Sequence, residues 1–297
     1  MKIRRKAFLT ALAVGAGLVF GVHATSAQQS PPPPPLTKEQ IAAIVASPDR
    51  SAADRTNDRR RKPEEMLLFI GVRPGITALD LSAAGGYTTE LLARAIGPSG
   101  IVYGQSRPRD PSRPPTPPAA PEGNSHPTAA SAAPPAATPT PPPGAPRPSP
   151  DALADRNSTL RKAEIKAAPI TAVVRPFEDP VPPELAPFDL VTLMFNYHDL
   201  GFLGVDRAAM NRAVFQALKP GGFYVIADHS GRPGTGISES GTLHRVEEAF
   251  LRKEVEAAGF KLAAEGNFLR NPDDPRDKNT PDPPQPKDEF VLKFVKP

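Results

Sequence analysis

Residues 76–86, ITALDLSAAGG, run directly into YTTELLARAI and constrain the fold more than any other stretch of the chain. The apolar run ending in Asp80 has the composition of a buried strand, and the segment after Gly86 repeats its apolar positions at helical spacing. The chain must therefore turn within Ser82 to Gly86. Small side chains in such a turn let a ligand approach the backbone, and the free N–H groups at the head of the next helix favour a carboxylate or a phosphate. A strand, tight turn and helix of this kind belongs to an α/β sheet that binds its ligand at the strand ends. A dinucleotide site would place G-x-G-x-x-G directly after the strand. Here an acid ends the strand, and Ser82, Ala84 and Gly86 put a small residue at every second position after it.

The rest of the pattern fits the same class. Phe188 to Phe195, FDLVTLMF, is almost continuously apolar, as a strand covered on both faces must be. Further strands are expected at Gly100 to Gln105, beside the first, at Ile170 to Arg175 and at Phe223 to Ala227. A closing pair is expected at Lys261 to Glu265 and Glu289 to Val295. Helices are expected at Thr37 to Ala46, where Thr37 and Gln40 form a capping box, and from Pro63 to a stop at Gly71. Others are expected at Asp151 to Lys166, Asp206 to Leu218, and Ser240 to Ala258, the last with Leu243, Val246 and Phe250 on one face. Arg59-Arg60-Arg61-Lys62 reads most simply as a solvated face.

The acid followed by alternating small residues resembles motif I, D-x-G-x-G-x-G, of the class I S-adenosylmethionine-dependent methyltransferases. Asp80 stands in the acid place, Ser82 and Ala84 in the first two glycine places, and Gly86 in the third. Leu218-Lys219-Pro220-Gly221-Gly222 between a helix and a strand, and Gly259-Phe260 after a helix, are similar to further marks of that family. The likeness covers nearly all of the chain from Leu36 onward and is closest to poorly characterised, signal-bearing bacterial members. It implies a Rossmann-like sheet of seven strands with helices on both faces, S-adenosyl-L-methionine as cofactor, and methyl transfer to a small-molecule acceptor. On this resemblance the cofactor lies along Asp80, Ser82, Ala84, Gly85 and Gly86. Gln105 and Ser106 stand where the family keeps an acid for the ribose hydroxyls, Glu178 or Asp179 receives the adenine amino group, and Phe195 and Asn196 line the pocket. A neutral Ser106 lacks the charge-assisted strength of a carboxylate. The segment before the first strand often covers the cofactor in this family. The alternative is a binding protein of the cell envelope that keeps the fold without catalysis.

Of five histidines, His23 and His126 lie near the N-terminus and in a proline-rich stretch, while His198, His229 and His244 fall at or near the strand-end edge. Methyl transfer needs a nucleophile held in line, and a base only where the acceptor must lose a proton. Histidine suits that task near neutral pH. His198 is expected as base, oriented by Asp199 or Asp228, with His229 beside it and Tyr197 and His244 lining the acceptor pocket. The same residues have the chemistry of metal ligands, but no H-x-x-x-H spacing fixes them, and no metal is assigned.

Composition bounds the surroundings of this domain. The absence of cysteine removes disulfides and thiolate ligands. Lys2, Arg4, Arg5 and Lys6 precede an apolar run to Val22, and Thr25-Ser26-Ala27 offers a cleavage site, so residues 1–27 read as a secretory signal peptide with a degenerate twin-arginine variant in view. Those four charges account for the net charge of +4, which leaves the mature chain near neutral and offers no basic patch for nucleic acid. After cleavage no membrane-spanning segment is expected, and the protein is expected to be periplasmic or secreted. Residues 28–35 form a proline-rich spacer, residues 36–106 and 151–297 the domain, and residues 107–150 an insertion whose Pro/Ala-rich composition predicts disorder. The pattern is silent on oligomeric state.

Overall fold

A computed structural model describes residues 33–109, 149–279 and 285–297. The expected signal peptide, most of the expected spacer and nearly all of the expected insertion lie outside the described residues. The domain begins with three helices: α1 (Lys38–Val45), α2 (Ala52–Arg61) and α3 (Pro63–Ile70). It continues as β1 (Thr77–Leu81), α4 (Tyr87–Ile96), β2 (Ile101–Ser106), α5 (Ser149–Lys162), β3 (Ile170–Val174) and β4 (Phe188–Met194). It ends with α6 (Tyr197–Phe202), α7 (Arg207–Ala217), β5 (Leu218–His229), α8 (Glu248–Ala257), β6 (Lys261–Gly266) and β7 (Glu289–Val295).

The seven strands form one sheet in the order β3-β2-β1-β4-β5-β7-β6. Strands β1 to β5 are parallel, and β7 runs antiparallel between β5 and β6. This is the Rossmann-like class I methyltransferase sheet. Alternation along the strands explains the helices on both faces. Ala78, Val102, Leu190 and Val225 point to one side, where they pack under α1, α3, α4 and α5. Leu79, Val191, Tyr224 and Leu292 point to the other, under α6, α7 and α8. Each strand thus buries both of its faces, which is why residues 188–195 carry so few polar side chains.

Local chemistry sets the ends. Thr37 and Gln40 close the expected capping box on α1, and Gly71 ends α3 in a left-handed conformation. Three differences from the sequence expectations have physical causes. Ala52–Arg61 is a helix: Ser51 caps it, its mean hydropathy is very low, and it is fastened by ion pairs rather than by an apolar stripe. The LKPGG segment belongs to β5 itself, because Gly221 N–H donates to the Lys296 carbonyl and Lys296 N–H to the Gly222 carbonyl. Finally, α8 starts at Glu248 rather than Ser240. Val246 bridges to Ser230 as a short strand segment, and the guanidinium of Arg245, fully buried, holds Asp274 at 2.8 Å and the Ser230 carbonyl at 3.0 Å. Those fixed contacts outcompete the helical apolar spacing of Leu243, Val246 and Phe250.

Candidate functional site

The strand order steps outward in opposite directions from β1 and β4, so their carboxyl ends form the switch point at which open α/β sheets bind ligands. The loop from Ser82 to Gly86 lies there. Ser82, Ala84 and Gly86 all have positive φ, at 55°, 47° and 78°. Only the last is free of a steric penalty, since a side chain in this conformation costs about 1–2 kcal/mol. A Cβ on Gly86 would lie 2.7 Å from Arg156 Cδ and 2.8 Å from Leu153 Cδ2. The loop is also held from outside. Arg156 Nε donates to the Gly85 carbonyl, while its Nη1 pairs with Asp54 at 2.8 Å and Glu90 at 2.5 Å, joining α2, α4 and α5 across the turn.

Several residues expected to touch a ligand also have partners within the fold. Asp80 is buried, and its two oxygens accept from Thr89 Oγ1 at 2.7 Å and Thr192 Oγ1 at 2.8 Å. Burial pushes its carboxyl up to about 6 against the lowering effect of those two hydroxyls. The acid of the motif therefore ties α4 to β1 and β4. Gln105 accepts from Ser82 N–H at 3.0 Å and donates to the Arg175 carbonyl at 2.7 Å, so its amide is fully engaged in the fold. Ser106 stays partly exposed at the end of β2. Glu178 accepts from Asp206 N–H at the head of α7, and Asp179 pairs with Arg175. Both acids expected at the adenine amino group thus have local partners.

The basic run before α3 is not a simple solvated face. Arg60 and Arg61 lie over the ring of Phe195, at 4.8 and 4.6 Å from its centroid, and so place α2 over the end of β4. Arg60 also pairs with Glu289 at 2.6 Å, and His229 Nδ1 lies 3.0 Å from the same carboxylate. Phe195 itself has a φ of 58°. Arg61, Met66, Ile70, Tyr87, Met194 and Phe195 line a small, mainly apolar cavity beside it.

The histidines assemble next to this edge. His198, at the start of α6, lies 5.1 Å from His229, with the rings tilted, and 5.6 Å from His244, edge to face, centroid to centroid. Its Nδ1 lies 2.6 Å from Asp228 Oδ1, its backbone N–H donates to Asp228 Oδ2 at 2.8 Å, and its Nε2 lies 3.2 Å from Asp199 Oδ1. The same Asp199 oxygen is 3.0 Å from His244 Nδ1, and the other accepts from Asn196 Nδ2 at 2.9 Å. Ser240 Oγ donates to the His198 carbonyl. Burial alone would lower the His198 pKa, but the carboxylates of Asp228 and Asp199 outweigh it and push the imidazole up to about 10. A carboxylate at each ring nitrogen thus favours the protonated form of His198, which cannot itself accept a proton. Burial opposes ionisation of Asp199, but its hydrogen bonds to the two histidines hold its carboxyl below the usual range.

Tyr197 also departs from expectation. Its hydroxyl donates to Glu254 on α8 at 2.7 Å and accepts from Asn211 at 3.1 Å, and its ring is wholly buried in the core beneath α6 and α7. It is a packing residue, because helical rotation turns it a full side away from Asp199. Sequence reasoning missed Arg156, Asp54 and Ser240. No motif marks them, and they meet the site only through the packing of separate helices.

The strand order and the helices on both faces define a Rossmann-like α/β fold of the class I methyltransferase arrangement. No protein-family model and no curated protein matches the chain. Among solved structures it is similar to a SAM-dependent methyltransferase from Aquifex aeolicus, at 14% identity over 88% of this chain and 100% of that one, with a TM-score of 0.49. It is also similar to the complex of the Trm112 methyltransferase activator and a putative methyltransferase from Haloferax volcanii, at 16% identity over 88% and 99%, with a TM-score of 0.48. A TehB-like SAM-dependent methyltransferase from Corynebacterium glutamicum matches at 14% identity over 83% and 99%, with a TM-score of 0.44.

Proposed function

We propose that the chain transfers a methyl group from S-adenosyl-L-methionine to a small-molecule acceptor, not to nucleic acid. The observation that carries this reading is the turn at the end of β1. Ser82 and Ala84 are held in the conformation that glycine would adopt freely, and a strained backbone at a ligand edge is a mark of function. The N–H groups of this loop and of the head of α4 would hold the methionine end of the cofactor, and Ser106 would meet its ribose. The acceptor enters on the side of α6, where Asp199 and His244 are partly open to solvent. His198, charged and fixed by Asp228, acts as a positioning residue that holds Asp199 toward the acceptor. We further infer that residues 1–27 direct export, to the periplasm or beyond, and are then removed.

A second reading is favoured by one observation: Gln105 is engaged inside the fold, and Ser106 stands where a ribose-binding acid is customary. It is a binding protein of the same fold without transferase activity. Calorimetry of the purified domain with S-adenosylmethionine and S-adenosylhomocysteine, paired with incubation in a metabolite mixture containing labelled methyl donor, separates the two. Saturable binding with label appearing in a small molecule is the expected result. Binding without transfer supports the second reading, and the absence of binding by either nucleoside removes the proposal.

A further inference from the structure

The cluster at the mouth of α6 is over-provided for a salt bridge. A buried histidine needs one acceptor to fix its tautomer, and Asp228 already supplies it for His198. A second carboxylate, Asp199, stands at the other nitrogen, and a second imidazole, His244, stands at that same carboxylate oxygen. One donor atom from each of His198, Asp199 and His244 lies within 4.8 Å of the other two, and the two pairs that share Asp199 Oδ1 are 3.2 and 3.0 Å apart. Bonds of about 2.0–2.1 Å in a tetrahedral shell put neighbouring ligand atoms roughly 3.3 Å apart, so the spacing fits an ion at the centre.

We infer that His198 Nε2, Asp199 and His244 hold a divalent transition-metal ion of the zinc class. The outer contacts are those of a built site. Asp228 fixes the far nitrogen of His198, as carboxylates do behind metal-bound imidazoles. Asn196 holds the second oxygen of Asp199. His244 has a left-handed conformation, φ 52°, and is followed by the fully buried Arg245. A divalent ion at this place displaces the proton from His198 Nε2; the two imidazoles are then neutral, and the carboxylates of Asp199 and Asp228 carry two negative charges that the ion balances. Two histidines and one carboxylate leave the solvent side of the ion open, as in catalytic rather than structural sites. If the methyltransferase reading holds, the open position takes an acceptor oxygen, so the acceptor class is a hydroxyl or enol compound able to bind as an anion. The sequence offers these ligand types but no spacing that joins them, because His244 lies 45 residues from Asp199 along the chain.

The test uses the mature chain, stripped with a chelator and titrated with Zn(II) by calorimetry and with Co(II) by visible absorption, whose intensity reports coordination number. One equivalent should bind with micromolar or tighter affinity. His244→Ala and Asp199→Asn should each weaken it by about 100-fold, and Asp228→Asn by about 10-fold or more. Circular dichroism melts of the variants confirm folding, and His244, the most exposed of the three ligands, is the variant least prone to misfold. Absence of saturable binding, or affinity unchanged in both His244→Ala and Asp199→Asn, overturns the inference. Cofactor binding, measured separately on the metal-free protein, fails or succeeds independently of this result.

Discussion

At the scale of single residues, the chain uses polar groups twice over: to hold the fold and to shape an edge. Asp80 shows the first use. Its carboxylate sits in the interior and accepts from two threonine hydroxyls, and burial raises its pKa to about 6. A carboxyl raised above its unfolded value near 3.8 binds its proton more tightly in the folded state. It therefore contributes stability that is complete below pH 4 and lost as the pH rises through about 6. Asp80→Asn has no such proton to lose. Urea midpoints of the two proteins across pH 4 to 8 should diverge in favour of the variant as the pH rises, by about 3 kcal/mol at most. Parallel curves would mean that Asp80 keeps an ordinary pKa.

At the scale of elements, the segment between β5 and α8 decides how the site is closed. It carries an amphipathic spacing that suggests one long helix from Ser240, yet α8 begins only at Glu248, after Arg245 and Val246 have bonded to the end of β5 and to Ser230. Arg245 is the pin. It is wholly buried against Asp274, and through Asp274 and Asp288 it draws the loop after β6 onto the sheet. Removing one partner of a buried pair leaves the other charge uncompensated, at a cost of about 3–5 kcal/mol. Arg245→Ala should lose that much on chemical unfolding and should expose residues 271–279 to limited proteolysis. A variant that unfolds at the wild-type midpoint would show that the pair is dispensable. α2 makes a similar point: its polar composition hides a helix that Asp54, Asp58 and Arg60 fasten from three sides.

At the scale of the whole molecule, the sheet brings two regions to one edge. The β1 loop lies on one side of it and the histidine cluster on the other, with β4 and Phe195 between them. Among the described residues no helix is long and apolar enough to cross a membrane. The proposed export therefore rests on residues 1–27 alone. A reporter active only outside the cytoplasm, fused after residue 27, should gain activity, and Lys or Arg to Glu changes at positions 2–6 should abolish it. Activity that persists after those changes, or its absence from the unaltered fusion, would remove the export reading.

The fold was legible in the sequence because its signals are local. Two-sided burial writes long apolar runs into β1 and β4, small residues mark the turn at Ser82 to Gly86, and Gly71 and Thr37 mark helix ends within a few residues of where they act. The position of His198, His229 and His244 near one edge followed from the same strand-end logic. Their chemistry did not. Whether His198 is a base or a cation depends on which carboxylates meet its two nitrogens, and one of these, Asp228, comes from a strand 30 residues away. The same holds for Asp80, Gln105, Glu178 and Tyr197, whose partners belong to other elements. A sequence determines which segments bury their faces, since that is a property of neighbours along the chain. Only the packed structure decides what each polar atom touches, because a protonation state is set by neighbours in space.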